Sequence, residues 1–420
     1  MKLIHLSDLH IGKRVNEFSM LEDQKYILAQ ILKVIAAEHA DGVMLAGDIY
    51  DKPVPSAEAV RVFDAFLTRL AEMECPVFAI SGNHDSAERI AFGAELMSGR
   101  GVYLSPVYDG TVRNVTLADQ YGEVVIHLLP FIKPAVVRHA LEGNGGVYRE
   151  SDWQQDSGEQ EATKADEMSL IRTYQDALRA AIAHMEIDPA KRNVLVAHQF
   201  VTGAMRCESE EIMVGGLDQV DVSLFDAFDY VALGHIHSPQ HVGRETVRYC
   251  GTPLKYSFSE AEQEKSVTVI ELKGKKNAAK EVNGTVYEDK KWMTDIEIRT
   301  IPLKPLRDMR KIRGTYLEVT ARSCYQDMNT DDYVQVTLTD EEDVPDGLQK
   351  LRVIYPNLMR LEYDNRRTRE NRVIDVPDAL EQKSELELFG EFFELQNNQP
   401  MSELQKQFVD KLIQEIQESR

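Results

Sequence analysis

Leu45-Ala-Gly-Asp-Ile-Tyr-Asp51 closes an apolar run, Gly42-Val-Met-Leu-Ala46, that reads as a buried strand. The strand ends in Gly47-Asp48. A carboxylate at the C-terminal end of a central strand sits where open α/β sheets place their ligands. A lone Gly-Asp is also a common turn, so the other strand ends decide the matter. Lys2-Leu-Ile-His-Leu6 runs into Ser7-Asp8-Leu9-His10, and Val77-Phe-Ala-Ile80 into Gly82-Asn83-His84-Asp85. Val194-Leu-Val-Ala197 runs into His198, and Tyr230-Val-Ala-Leu233 into Gly234-His235-Ile236-His237. Five apolar runs thus deliver Asp, Asn or His at the same end, which chance alignment does not explain.

Outward from these runs the chain reads as α/β. Helical spacing near 20–38, 56–73 and 87–97 alternates with strands at 2–6, 42–46 and 76–81, with Ser56 as a helix cap. This order implies a mostly parallel sheet with helices on its faces. Weaker strands follow at 111–117 and 124–130. A polar, acidic stretch at 142–168 reads as an insertion, and a helix near 166–186 precedes strand 193–197. Strands at 229–233, 246–250 and 266–272 complete a first domain, residues 1–273. Residues 273–294 read as a linker or hairpin excursion. A smaller α+β unit, 295–375, follows, with strands expected at 295–302, 316–321, 333–338 and 358–363 and a helix near 346–354. The tail, 380–420, carries two amphipathic helices, near 384–397 and 402–418.

Composition narrows the class. A chain of 420 residues with 43% hydrophobic and 28% charged residues has room for two or three domains. No run approaches the ~20 apolar residues of a membrane span, and the first residues enter a strand rather than a signal peptide. Four scattered cysteines, Cys75, Cys207, Cys250 and Cys324, suit a reducing cytoplasm and offer no zinc-ribbon spacing. The net charge of −22 disfavours a simple nucleic-acid binder, although bound divalent cations would outweigh local carboxylates. Basic residues do cluster. Arg299, Lys304, Arg307, Arg310, Lys311 and Arg313 face only Asp308 within 299–313, and four arginines lie within 366–372. Both runs read equally well as a nucleic-acid contact or as solvated surface.

The candidate metal ligands are Asp8, His10, Asp48, Asn83, His198, His235 and His237. Imidazole mixed with carboxylate and amide suits a first-row divalent ion better than calcium. Seven side chains exceed one open site, and two ions ~4 Å apart need a bridging group. Asp48, with two oxygens on the central strand, is the expected bridge. Such a pair generates hydroxide near neutral pH and stabilises charge on a phosphorus centre, so phosphate-ester hydrolysis is the chemistry expected. His84, beside Asn83, is expected to act on the phosphate or the leaving group. Asp51 and Asp85 are expected either to orient neighbouring groups or to cap turns.

These motifs resemble those of the calcineurin-like metallophosphoesterases. The likeness is carried by Asp8-Leu-His10, Gly47-Asp48-Ile-Tyr-Asp51, Gly82-Asn83-His84-Asp85, His198 and Gly234-His235-Ile-His237. Gly251-Thr-Pro-Leu-Lys-Tyr-Ser257, Ile301-Pro-Leu-Lys-Pro-Leu-Arg-Asp308 and Glu387-Leu-Phe-Gly-Glu-Phe-Phe393 extend it towards the nuclease subunits of bacterial ATP-dependent DNA end-processing complexes. The resemblance implies a metallophosphoesterase sheet sandwich flanked by helices, a capping domain that contacts DNA, and C-terminal helices that bind the ATPase subunit. It implies one Mn²⁺ held by Asp8, His10, Asp48 and His237, and another by Asp48, Asn83, His198 and His235. It implies a 3′ to 5′ double-strand exonuclease and a single-strand and hairpin endonuclease, dimeric through helices 56–73 and 87–97. Asp51 stands where related archaeal and eukaryotic nucleases often carry histidine. A phosphatase or cyclic phosphodiesterase on the same fold is the nearest rival. However, Asp51-Lys52-Pro53 and Asp85 depart from the Gly-Asp-x-x-Asp-Arg-Gly and Gly-Asn-His-Glu of the phosphatases. A DNA-end tether with incidental nuclease activity is the reading of a different class, and the full ligand set argues against it.

Overall fold

In a computed structural model of the chain, the structure describes residues 1–142, 171–205, 207, 210, 219–282, 285–366, 368, 386, 389–390, 393 and 401–418. All of the insertion expected at 142–168 except Glu142, and most of the helix expected near 384–397, lie outside the described residues. By contacts the chain divides into two compact units, Met1–Thr337 with Asp346–Glu362, and Leu338–Pro345 with Tyr363–Arg420.

The first unit is built on two six-stranded sheets. In the first sheet, β1 (Lys2–Leu6), β2 (Gly42–Ala46), β3 (Val77–Ile80) and β4 (Val102–Leu104) run parallel. β1 also pairs antiparallel with β11 (Ser266–Val282), which pairs with β12 (Thr285–Pro302). In the second sheet, β5 (Arg113–Asp119) joins β6 (Gly122–Leu128), then β7 (Arg192–His198), β8 (Tyr230–Gly234), β10 (Arg244–Tyr249) and β9 (Gln240–Val242).

Side chains alternate along each strand, so each sheet feeds two cores. Leu3, Met44, Phe78 and Ile80 meet Val124, Ile126, Val194, Val196 and Tyr230 between the sheets. Ile4, Leu6, Val43 and Leu45 pack outward under α1 (Leu21–Glu38) and α2 (Ala57–Glu72). Leu195, Ala197, Val231 and Leu233 do the same under α5 (Pro134–Glu142) and α6 (Tyr174–Ala183). Strands buried on both faces explain the unbroken apolar runs of the sequence. The result is a helix–sheet–sheet–helix sandwich.

Several local expectations change. The helix expected over 87–97 is two short ones, α3 (Ala87–Ile90) and α4 (Ala94–Ser98), broken at Gly93 with φ +72°. Of the two readings of 273–294, the hairpin excursion is the one seen, since residues 273–282 and 285–294 continue the β11–β12 ribbon past the sheet. Asp295–Pro302 belongs to the first sheet through β12, not to a separate small sheet. The strand expected at 316–321 is a helix, α7 (Tyr316–Thr320), closed by a Thr315–Glu318 capping box. The short α8 (Arg322–Tyr325) follows it, and the helix expected near 346–354 is α9 (Gly347–Arg352). The strand lies just before α7, as β13 (Met309–Gly314). With β14 (Tyr333–Leu338) and β15 (Leu358–Tyr363) it forms a three-stranded sheet.

In the second unit, Asn365 Nδ2 donates to the Asp340 carbonyl at 3.1 Å. The helix α10 (Glu403–Glu418) opens on Ser402. The Gln405 amide oxygen accepts from the Ser402 backbone at 2.8 Å, closing the expected box. Among the described residues no helix is long and apolar enough to cross a membrane, and all four cysteines are unpaired.

Candidate metal centre

The parallel strands of the two sheets end at one edge of the sandwich, and all seven expected ligands gather there. Close approach requires glycine. A Cβ on Gly234 would lie 1.9 Å from the Ala46 carbonyl oxygen, and one on Gly82 2.1 Å from Asp48 Oδ1. The ligand backbones are themselves bent. Asp8, His10, Asp48 and His235 have φ of 52°, 44°, 50° and 99°, in or near the left-handed region that non-glycine residues rarely enter. Such strain persists only where the surroundings over-determine it, and it clusters at functional sites.

Asp48 lies between two groups of side chains. Its Oδ2 is 3.7 Å from His10 Nε2 and 3.4 Å from His198 Nε2. On one side His10 Nε2 faces His237 Nε2 at 3.2 Å, and the ligand atoms of Asp8, His10 and His237 lie within 4.8 Å of one another. On the other, Asn83 Oδ1 meets His198 Nε2 at 2.9 Å and His235 Nδ1 at 3.0 Å. His198 Nδ1 donates to the Ala46 carbonyl at 2.8 Å, which leaves Nε2 to face the cluster.

The charges are packed tightly. Burial, and then Asp48, push the Asp8 carboxyl up to about 7, although His198 opposes this. Burial also acts to raise Asp48, but the imidazoles of His198, His10 and His84 overcome it and hold that carboxyl well below its usual range. Burial drives His10 and His237 down towards the neutral form. It opposes charge on His198 too, yet Asp48 outweighs it and holds that imidazole up at about 9. Buried imidazole nitrogens facing one another and two carboxylates in one pocket form a donor set that fits divalent cations. A ligand must be deprotonated, so metal uptake would displace the proton held by His198.

His84 sits on the open side and is partly exposed. Its backbone N–H donates to Asp48 Oδ1 at 2.9 Å, and its Nδ1 meets the Asp51 carbonyl at 3.1 Å. A carbonyl only accepts, so Nδ1 carries the hydrogen and Nε2, 3.9 Å from Asp48 Oδ2, is the nitrogen turned to the centre. Asp51 lies 3.8 Å from His10 Nδ1 and 2.7 Å from Lys13 Nζ. Asp85 accepts from the backbone of Ile49, Tyr50 and Gly82 and so joins two ligand turns. Sequence reading missed Lys13, Glu210, Glu260 and Lys265, which back the site. They lie in runs that read as polar surface.

Residues 1–239 match the calcineurin-like phosphoesterase family, and residues 305–397 match the type 5 capsule protein repressor C-terminal domain. The SbcD subunit of the SbcCD nuclease of Staphylococcus saprophyticus is 31% identical over 365 residues, 86% of this chain and 84% of its own. The chain belongs to the SbcD family of calcineurin-like phosphoesterases. The SbcD subunit of Staphylococcus epidermidis is 28% identical over 422 residues, 98% of each chain. Among solved structures, a dimetal phosphatase from Danio rerio overlaps at a TM-score of 0.36 and 10% identity, covering 64% of this chain and 92% of its own. SbcD family membership and the donor cluster together identify a dinuclear divalent-metal site in a metal-dependent phosphodiesterase.

Proposed function

We propose that this chain is the nuclease subunit of an SbcC–SbcD-type complex that processes DNA ends in repair and recombination. The reading assigns it Mn²⁺-dependent 3′ to 5′ exonuclease activity on duplex ends and endonuclease activity on single strands and hairpins, in the cytoplasm. The observation that carries it is the convergence of seven mixed candidate ligands, six of them about Asp48, with His84 on the open side.

Asp8, His10, Asp48 and His237 would hold one ion, and Asp48, Asn83, His198 and His235 the other. When bound, such a pair supplies a hydroxide nucleophile and stabilises charge on the phosphoryl oxygens. The chain's own residues do the rest. Asp48 keeps the two donor groups in register. The Asp51 carbonyl accepts from His84 Nδ1–H and so turns Nε2 towards the centre, where the imidazolium form would donate to the leaving oxygen. Asp85 keeps the Asp48 and Asn83 turns together, and Asp51 steadies His10. In this reading residues 1–273 with the returning strand β12 form the nuclease domain, and the capping domain, expected over 295–375, begins after Pro302.

Two surfaces support the proposed partners. On α10, Leu404, Phe408 and Leu412 are 81%, 68% and 45% exposed, an apolar stripe suited to the SbcC-type ATPase, which would bind through 380–420. In the segments after two ligand turns, Val60 on α2, Phe92 between α3 and α4, and Leu96 on α4 are 44%, 83% and 86% exposed, while Phe63 and Leu70 face the core. The outward set suits a two-fold contact with a second copy.

The capping run supports DNA contact less than its charge suggests. Arg307 is 3.0 Å from the buried Asp23, and Arg310 2.5 Å from the buried Asp332.

The test is end-labelled linear duplex DNA incubated with purified chain and Mn²⁺, with and without the ATPase subunit and ATP. Shortening from 3′ ends that stops on chelation is expected. Intact DNA under every condition overturns the reading.

A further inference from the structure

His237 is gripped from behind by groups that the proposed reaction does not touch. Its backbone N–H donates to Glu210 Oε1 at 2.7 Å. Its carbonyl accepts from Lys265 Nζ at 2.9 Å and from the Thr252 N–H at 3.1 Å. Its two ring nitrogens face opposite surroundings. Nε2 is turned into the donor cluster, 3.2 Å from His10 Nε2. Nδ1 is turned away from it, 3.8 Å from Glu260 Oε1.

Glu260 is wholly buried, and its other oxygen, Oε2, lies 2.5 Å from Lys265 Nζ, itself only 4% exposed. Lys265 is held in turn by Gln263 Oε1 at 2.9 Å. The Tyr256 N–H and the Thr252 hydroxyl also turn towards Glu260, each at 3.4 Å. A buried ion pair is a poor device for stability alone, because apolar residues of the same volume often do as well. Its position directly behind a ligand imidazole gives it a second use. An imidazole that offers Nε2 to a metal must carry its hydrogen on Nδ1, and that hydrogen needs an acceptor.

We propose that Glu260, set in place by Lys265, is the positioning residue that fixes His237 as the Nδ1–H tautomer and aims its Nε2 lone pair at one of the two metal positions. The metal part of this inference rests on the dinuclear reading above. The two positions then differ in kind. His10 and His237 are backed by carboxylates, Asp51 and Glu260. His198, on the other side of Asp48, is backed by a neutral carbonyl, that of Ala46. Loss of Glu260 therefore weakens one position and spares the other.

The experiment has two arms on the full-length chain. In the first, chelator-stripped protein is titrated with Mn²⁺, and free Mn²⁺ is read by its electron paramagnetic resonance signal. In the second, metal-free protein labelled with ¹⁵N-histidine reports the tautomer of each imidazole. Wild type is expected to take up two ions, with His237 as the Nδ1–H form. Glu260→Gln is expected to lower the affinity of one ion by ~10- to 100-fold, the usual effect of losing such a backing group. The other ion keeps its affinity, and the His237 tautomer signature is lost. If the stranded Lys265 ammonium prevents Glu260→Gln from folding, Glu260→Gln with Lys265→Met removes that charge and carries the same test.

A merely structural role is separated by Lys275→Met. It breaks a different buried pair, Lys275–Asp229 at 2.8 Å, and should move neither readout. A folded Glu260 variant that binds both ions as wild type and keeps the His237 tautomer overturns the proposal. A wild-type chain that binds no pair of ions overturns the dinuclear reading instead, and the tautomer arm still decides whether Glu260 positions His237.

Discussion

Replacing Asp85 releases two ligand turns at once. Its Oδ2 accepts from the N–H groups of Ile49 at 3.0 Å and Gly82 at 2.9 Å, and its Oδ1 from Tyr50 at 2.9 Å. One carboxylate thus staples the turn bearing Asp48 to the turn bearing Asn83. Asp85→Ala strands three backbone donors. Each unmade bond costs ~1–3 kcal/mol when water cannot replace it. Because the site is only partly buried, the expected loss is roughly 3–6 kcal/mol in total. Asp85→Asn is milder. Its oxygen can keep the two bonds at the Oδ2 position, while its amide group meets the Tyr50 N–H donor to donor, for about 1–3 kcal/mol. Urea unfolding in the presence of a chelator removes any contribution from metal. The midpoints should fall in the order wild type, Asp85→Asn, Asp85→Ala, and Mn²⁺ content measured separately should fall in the same order. An Asp85→Asn protein with the wild-type midpoint and full Mn²⁺ uptake would refute the stapling role and leave Asp85 as surface.

Arg307→Ala should lower stability by ~1–3 kcal/mol in the same assay, because the wholly buried Asp23 keeps only the Tyr333 hydroxyl at 2.8 Å. Lys311→Glu, at an exposed position, should leave stability unchanged but weaken DNA binding and reduce the salt slope by about one. Phe92→Asp with Leu96→Asp should convert a sedimenting dimer to monomer and spare hydrolysis of a small phosphodiester. Burial pushes His5 down to about 3 from an ordinary value of 6.5. The unfolded chain therefore takes up the extra proton as pH falls below 6.5, and stability drops by about 1.4 kcal/mol per unit towards pH 3. His5→Gln should remove that part of the pH dependence, as read from urea midpoints between pH 6.5 and 5.

The sandwich and the site were legible because each strand carries its own signal. Strands buried on two faces must be apolar throughout, and ligands at their ends follow directly, as in Val194–Ala197 before His198. What could not be read depends on partners far along the chain. Arg307 is separated from Asp23 by 284 residues, so its charge read as surface when it is tied to a buried carboxylate. Glu260 and Lys265 sit in Ser259-Glu-Ala-Glu-Gln-Glu-Lys265, whose composition is that of solvated loop. Only the fold turns two of its charges inward behind His237. The positive φ at His235 has no signal either, since its N–H is held by Asp8, 227 residues away. Tyr316-Leu-Glu-Val-Thr320 misled because Val319 and Thr320 favour strands. The Thr315–Glu318 capping box was present in the sequence and was the better guide.

In the proposed phosphodiesterase centre Asp48 joins the two metal positions. The direct measurement is metal content by mass spectrometry, paired with hydrolysis of bis(p-nitrophenyl) phosphate in Mn²⁺, for wild type, Asp48→Asn and His84→Ala. Two ions per chain are expected in wild type and His84→Ala, with turnover crippled in the latter. Asp48→Asn should lose metal at both positions and activity with it. An Asp48→Asn chain that retains two ions and wild-type turnover would rule out the bridging role, and a His84→Ala chain that comes out metal-free would rule out a purely chemical role for His84.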